Sequence, residues 1–313
     1  MYDIIILGSG PAGLTAGIYS IRAGRKTLLI AGTKWGGQLM MTTLVENFPG
    51  FPEGIQGPQL MMNMRKQAER LGVEIVNSDF TRADFTQKPL KIWVGEKTYG
   101  GQSVIIATGA DSIWLDIPGE EEFRGKGVGT CATCDAFFFR GKDVVVIGGG
   151  DSALEEALVL SKMAKTVAIV HRRDQFRASK AMQKKVFNNP KIKIVWNKTV
   201  SKFIGIDKLT GLLIQDVKTG KEEEMKTDGA FIAIGHKPNS ERFKGLEVDA
   251  KGYIVRKEVK DENGLLKYRS ATSIPGVFVA GDVNDYRYKQ AITSAGFGTI
   301  AALDADKWLT ENK

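Results

Sequence analysis

Cysteine and histidine are scarce in this chain, with two of each in 313 residues. A structural disulfide framework needs more cysteines than that, so Cys131 and Cys134, spaced C-x-x-C, point to metal or redox chemistry. A zinc site here would have to recruit both cysteines together with His171 and His236, which fall outside any H-x(3-5)-H spacing. Long apolar runs are also missing. Ile4 to Leu7 is too short for the core of a signal peptide and follows Asp3 instead of a basic segment. Nothing approaches the ~18 consecutive apolar residues that a bilayer span requires, which predicts a soluble, cytoplasmic protein with no membrane partner. The net charge is +8, but Lys and Arg are interleaved with Asp and Glu and form no arm or tail, which argues against nucleic acid as a partner.

Glycine, by contrast, is plentiful. There are 36, above the usual share of ~7%, without collagen periodicity or low-complexity tracts. They are therefore expected at tight turns and where backbone must approach a ligand closely. Hydrophobic residues at 42% and charged residues at 26% suit a globular protein, and the length allows two domains, each with its own core.

The segment Tyr2 to Gly13 is a short apolar run ending in G-x-G-x-x-G and running into a helical pattern that ends near Arg22. Strand, tight turn and helix form the context in which that pattern binds a dinucleotide. Gly8 lets the chain turn, Gly10 lets backbone approach a pyrophosphate, and Gly13 lets helix pack on strand, with Pro11 and Ala12 in the same loop. A plain glycine turn remains the simpler alternative. Lys26 to Ile30 supplies a second strand, but Ala31, Gly32 and Thr33 follow it where an acid usually holds the ribose, so Gly36, Gly37 and Gln38 become the candidates for that task. Val104 to Ala110 is a further strand ending in a small-residue turn.

The opening pattern recurs at Lys142 to Ala153, with Gly148, Gly150, Asp151, Ser152 and Ala153 in the turn and a helical pattern from Leu154 to Met163. Two such patterns imply two nucleotide sites. The following strand, Thr166 to His171, leads into Arg172, Arg173 and Arg177, where an NAD-binding domain would carry an acid. Arginines suit a 2'-phosphate and favour NADPH, although a solvated basic turn would read the same way. Ser273 to Asp282 is a strand ending at an acid, and Gln290 to Leu309 is a helical pattern rich in small residues. Asp282 and the start of that helix suit a ribityl chain and negative charge on a flavin, or equally a buried acid and a core helix.

Taken in order, Gly8-Ser-Gly-Pro-Ala-Gly13, Gly36-Gly-Gln-Leu39, Val45-Glu-Asn-Phe-Pro-Gly50, Ala107-Thr-Gly109, Cys131-Ala-Thr-Cys-Asp135, Gly148 to Ala153, His171-Arg-Arg173 with Arg177, Gly281-Asp-Val283 and Gln290 to Gly296 resemble the low-molecular-weight, bacterial-type thioredoxin reductases over essentially the whole chain. The resemblance implies an α/β fold of two Rossmann-like dinucleotide-binding domains. A discontinuous FAD domain would span 1–114 and 243–313, and an NADPH domain carrying the C-x-x-C would be inserted at 115–242. FAD would be held by Gly8, Gly10, Pro11, Ala12, Gly13, Ala31, Gly32, Gly36, Gly37, Gln38, Asn47, Thr108, Gly109, Gly281, Asp282, Lys289, Gln290 and Ala291. NADPH would be held by Gly148, Gly150, Asp151, Ser152, Ala153, His171, Arg172, Arg173 and Arg177.

The same resemblance implies that Cys134 faces the flavin, that Cys131 attacks the disulfide of thioredoxin, and that Asp135 moves the proton. A helix-capping role for Asp135 is the structural alternative. A homodimer is implied, and so is a turning motion of the inserted domain, which must bring both nicotinamide and dithiol to one flavin. Two positions depart from the family pattern: Lys289 stands where Arg is common, and Ala136 where Gly is common. Reduction of another protein or small-molecule disulfide is the nearest rival activity, and a redox-sensing flavoprotein without turnover is a rival of a different class.

Overall fold

The computed structural model describes residues 1–42 and 44–312. They form a mixed α/β fold of two compact units, Met1–Asp111 with Lys237 onward, and Ser112–His236. The chain thus leaves the first unit after Asp111 and re-enters it at Lys237, a few residues before Trp114 and Arg242, where the sequence placed the crossings. Trp114 packs into the core of the second unit under the Arg124 guanidinium, 3.9 Å from its ring centroid. Arg242 belongs to the first unit, where it donates to the Phe80 carbonyl at 2.6 Å.

The core of the first unit is a sheet in the order Glu74–Val76, Thr27–Ile30, Tyr2–Leu7, Lys97–Ile106, Leu90–Val94, Arg82–Asp84. Val277–Val279, from the far end of the sequence, adds in parallel to Lys97–Ile106, with Val277 opposite Val104. This pairing makes the unit discontinuous. Ile4, Ile5, Ile6 and Leu7 are all fully buried, because a parallel sheet covered on both faces turns every residue of its central strand into core. Ile4 and Ile6 meet Leu14, Phe278 and Ala302 on one face, while Ile5 and Leu7 meet Val104, Val279 and Phe243 on the other. Each such side chain contributes about 1.5–3 kcal/mol by leaving water. Lys97–Ile106 is longer than its apolar end suggests, because its polar first half pairs antiparallel with Leu90–Val94.

Small residues let the helix Ala291–Glu311 lie directly on the helix Pro11–Arg22. A Cβ on Gly298 would stand 2.1 Å from the Ala12 carbonyl oxygen, so the two backbones are as close there as glycine permits.

The second unit carries a parallel sheet in the order Val128–Gly129, Gly229–Ala233, Asp143–Gly148, Thr166–His171, Ile192–Trp196. The helix Asp151–Ser161 begins three residues before the apolar pattern at Leu154 and packs Ala153, Leu154, Ala157 and Leu160 against the sheet. No helix among the described residues is long and apolar enough to cross a membrane.

Candidate functional site

In the first unit the candidate residues gather at the carboxyl ends of the parallel strands. Gly8 to Gly13 follow Tyr2–Leu7, Ala31 and Gly32 follow Thr27–Ile30, Thr108 and Gly109 follow Lys97–Ile106, and Gly281 and Asp282 follow Val277–Val279. Open parallel sheets bind ligands at that edge. The three glycines of the first loop meet different surroundings. Gly8 has φ +109°, and a Cβ there would lie 2.2 Å from the Ala107 carbonyl oxygen; one on Gly13 would lie 1.9 Å from that of Gly8. A Cβ on Gly10 would meet nothing within 4 Å, and the same holds for Gly109. Protein therefore fills the space beside Gly8 and Gly13, while Gly10 and Gly109 face open space.

Polar bonds knit these loops together, and several come from residues that the sequence did not mark. Ser9 donates to the Ala31 carbonyl at 2.8 Å and accepts from the Gly36 N–H at 3.0 Å, tying the glycine loop to both later segments. An acid from a later segment holds the turn after Ile30. Asp79 accepts from the Thr33 backbone at 3.2 Å and from its hydroxyl at 2.7 Å. Asn239 clasps the third turn: it accepts the Thr108 hydroxyl at 2.7 Å, returns its side-chain amide to the Thr108 carbonyl at 3.1 Å, and donates its backbone N–H to Gly109 at 3.0 Å. Gln38 donates to Asp111 at 3.0 Å.

On the last segment, Asn47 donates to Gln290 at 3.2 Å, and Gln290 forms a capping box with Thr293 at the start of the helix that begins at Ala291. Asp285 collects the backbone N–H groups of Arg287, Tyr288 and Lys289, turning the chain so that Lys289 takes φ +48°. Asp282 accepts the Ser294 hydroxyl at 2.8 Å. Burial pushes its carboxyl up to about 6 and the nearby Asp285 adds to that, while the Ser294 hydroxyl and Lys289 oppose it.

The second unit repeats the first loop. A Cβ on Gly148 would lie 2.4 Å from the Ala233 carbonyl oxygen, whereas one on Gly150 would meet nothing within 4 Å. Asp151 accepts both the backbone N–H and the hydroxyl of Ser179, at 2.9 and 2.8 Å; Ser152 is exposed and Ala153 is buried. Arg172, Arg173 and Arg177 are exposed, and the Arg177 N–H donates to the Gly149 carbonyl at 2.8 Å, which brings the arginine turn onto the glycine loop. His171 does not join them at the surface. Its ring lies beneath Gly149, where a Cβ would come within 2.2 Å of it, and packs against Phe176 and Trp196. Burial lowers its pKa, and the three arginines lower it further against the opposing Gln175 carbonyl, so the ring is neutral at pH 7 and supports the loop.

Cys131 and Cys134 follow the strand Val128–Gly129, at the same sheet edge as the glycine loop and the arginines. They are joined as a disulfide with their Cα atoms 5.4 Å apart. Cys131 caps the helical turn Ala132–Asp135, Cys134 is exposed, and Asp135 lies over Gly129. The capping alternative for Asp135 finds no support, because its side chain makes no cap bond to the turn that follows it. Burial instead pushes the Asp135 carboxyl up to about 6, into the range of a group that exchanges protons near neutrality.

The pyridine nucleotide-disulphide oxidoreductase family matches residues 2–298. A thioredoxin reductase of Rickettsia felis is 48% identical over 313 residues, covering 98% of each chain, and one of Coxiella burnetii is 48% identical, covering 98% of this chain and 96% of that one. Among solved structures, a thioredoxin reductase from Giardia duodenalis superposes with a TM-score of 0.92 at 44% identity, and one from Streptococcus pyogenes with 0.90 at 38%, each covering 99% of both chains. The chain belongs to the pyridine nucleotide-disulphide oxidoreductase family, and within it to the thioredoxin reductases.

Proposed function

We propose that this chain is an NADPH-dependent flavoprotein that reduces the disulfide of thioredoxin through Cys131 and Cys134. The observation that carries the reading is the placement of the disulfide on one sheet edge with a glycine loop and three exposed arginines. The first unit holds FAD. The open space at Gly10 and Gly109 admits a pyrophosphate against bare backbone, and Asn47, Asp282 and Gln290 offer polar contacts to the rest of the molecule. The second unit holds NADPH, with Gly150 against the pyrophosphate and Arg172, Arg173 and Arg177 around the 2'-phosphate. When bound, the flavin supplies a two-electron relay between nicotinamide and disulfide.

The chain's own groups do the rest. Two electrons and two protons open the Cys131–Cys134 bond to a pair of thiols, and Asp135 delivers and later recovers a proton. The Cys131 thiolate attacks one sulfur of the partner disulfide. Cys134 then displaces the mixed disulfide, re-forming the bond with Cys131 and releasing the partner with two thiols. Because one unit carries both nucleotide site and dithiol, it turns to present each in succession. A homodimer in the cytoplasm completes the reading. The test is an anaerobic NADPH titration followed by flavin absorbance, then addition of thioredoxin disulfide. Sustained NADPH consumption is expected; consumption with another disulfide but not thioredoxin would assign the rival acceptor, and a halt after one cycle would assign a sensor.

A further inference from the structure

The dithiol turn is held from outside by a group that disulfide exchange does not itself require. Glu156, on the second turn of the helix Asp151–Ser161, accepts the backbone N–H of Ala132 with its carboxylate Oε2. The contact is built in, because Ala132, Ala153, Leu154 and Ala157 are all fully buried against one another and bring helix and turn close together. Ala132 follows Cys131, the N-cap of the turn, whose Sγ accepts the N–H of Cys134 at 3.2 Å. Backbone donors at the start of such a turn stabilise a thiolate on the capping cysteine. One of them points at sulfur, and the other is taken by an anion.

We propose that Glu156 is a positioning residue that fixes the Cys131–Cys134 turn through Ala132 and, by its charge, keeps the dithiol strongly reducing. This rests on the dithiol reading above. Reduction adds two electrons and two protons and gives two thiols; ionisation of Cys131 then releases one proton to water. A carboxylate beside the turn disfavours the thiolate, so it withholds stabilisation from the reduced form, and the dithiol gives up its electrons more readily. The other titratable groups on the turn and the elements packed against it are Asp135, partly buried over Gly129, Asp151, bonded to Ser179, and Glu155, which is exposed; the segment Ala136–Phe139 adds none.

Glu156→Gln removes the charge but keeps an oxygen that can accept from Ala132. The enzyme is reduced with dithiothreitol, its thiols are alkylated with iodoacetamide across a pH series, and the dithiol equilibrium is measured against glutathione above neutral pH. The alkylation midpoint is expected to fall by about one pH unit. The equilibrium should move toward the dithiol by up to about tenfold, or about 30 mV for a two-electron couple. A midpoint that is unchanged or higher overturns the proposal, and so does a shift in Glu156→Ala that is absent in Glu156→Gln, which would leave the carboxylate a cap only. Replacing dithiothreitol by NADPH tests the underlying reading separately. If NADPH releases no thiols in the parent enzyme, that reading fails, while the dithiothreitol series still judges Glu156.

Discussion

The Sγ of Cys131 accepts the backbone N–H of Cys134 at 3.2 Å, so each cysteine of the redox pair sits on the turn that the other helps to shape. The two are nevertheless unequal, since Cys134 is exposed and Cys131 only partly so. Replacing Cys134 by Ser is expected to leave a folded protein that binds FAD and is reduced by NADPH but no longer reduces thioredoxin. Stopped-flow absorbance separates the two half-reactions, and retained turnover would remove Cys134 from the pathway.

Asp135 makes a prediction with a sign. Its carboxyl rises from an ordinary 3.8 to about 6 because burial disfavours the anion. Between about pH 4 and 6 the folded protein therefore binds more protons than the unfolded chain, and this residue's contribution to stability falls as pH rises through that window and is constant above it. Asp135→Asn should raise Tm at pH 7 and change it little near pH 4. The same variant should slow thioredoxin reduction by roughly a hundredfold or more through loss of the proton donor. A variant no more stable at pH 7 than the parent would contradict the first statement, and one with full turnover the second.

Arg172 and Arg173 flank a loop to which Arg177 is bonded through its backbone. Replacing both by Ala should raise KM for NADPH by about tenfold or more, the worth of one or two charge-assisted hydrogen bonds. KM for NADH should move much less, since NADH lacks the phosphate. Steady-state kinetics with the two nucleotides decide the point, and equal effects would refute the specificity.

The glycine loops predict opposite outcomes for the same substitution. Gly13→Ala sets a methyl group against the Gly8 carbonyl, where 1.9 Å is available. The gain of about 1 kcal/mol in helix propensity is smaller than the overpacking cost of about 1–3 kcal/mol, so the protein should be destabilised. Gly10→Ala meets nothing within 4 Å and should fold with a normal Tm while retaining less FAD. Gly150→Ala should keep FAD and raise KM for NADPH. Thermal melts, flavin content and nucleotide kinetics on the three variants check this pattern.

Much of the site was legible because it is written in short segments. An apolar strand, a glycine turn and a helix are consecutive in sequence, and so are Cys131, Cys134 and Asp135. His171 shows the limit of such reading: it stands beside two arginines in sequence, yet it is the last residue of a buried strand and packs under Gly149, while they lie beyond the strand's end and face solvent. The partners of the loops were not legible at all. Asp79, Asn239 and Glu156 are ordinary polar residues in sequence, and each acquires its place from an element that folding brings alongside.

The sequence by itself determined the two glycine loops, the arginine turn and the C-x-x-C pair, since each is written within a few residues, and the resemblance of the whole chain implied the two-unit α/β plan and the redox role of the pair. Only the tertiary structure decided where the chain passes between the units, that Asp135 and Asp282 lie deep enough for burial to push their carboxyls up to about 6, and that a carboxylate from a separate helix grips the turn between Cys131 and Cys134. Desolvation and hydrogen bonding depend on what surrounds a group in space, and those surroundings are assembled from segments far apart along the chain.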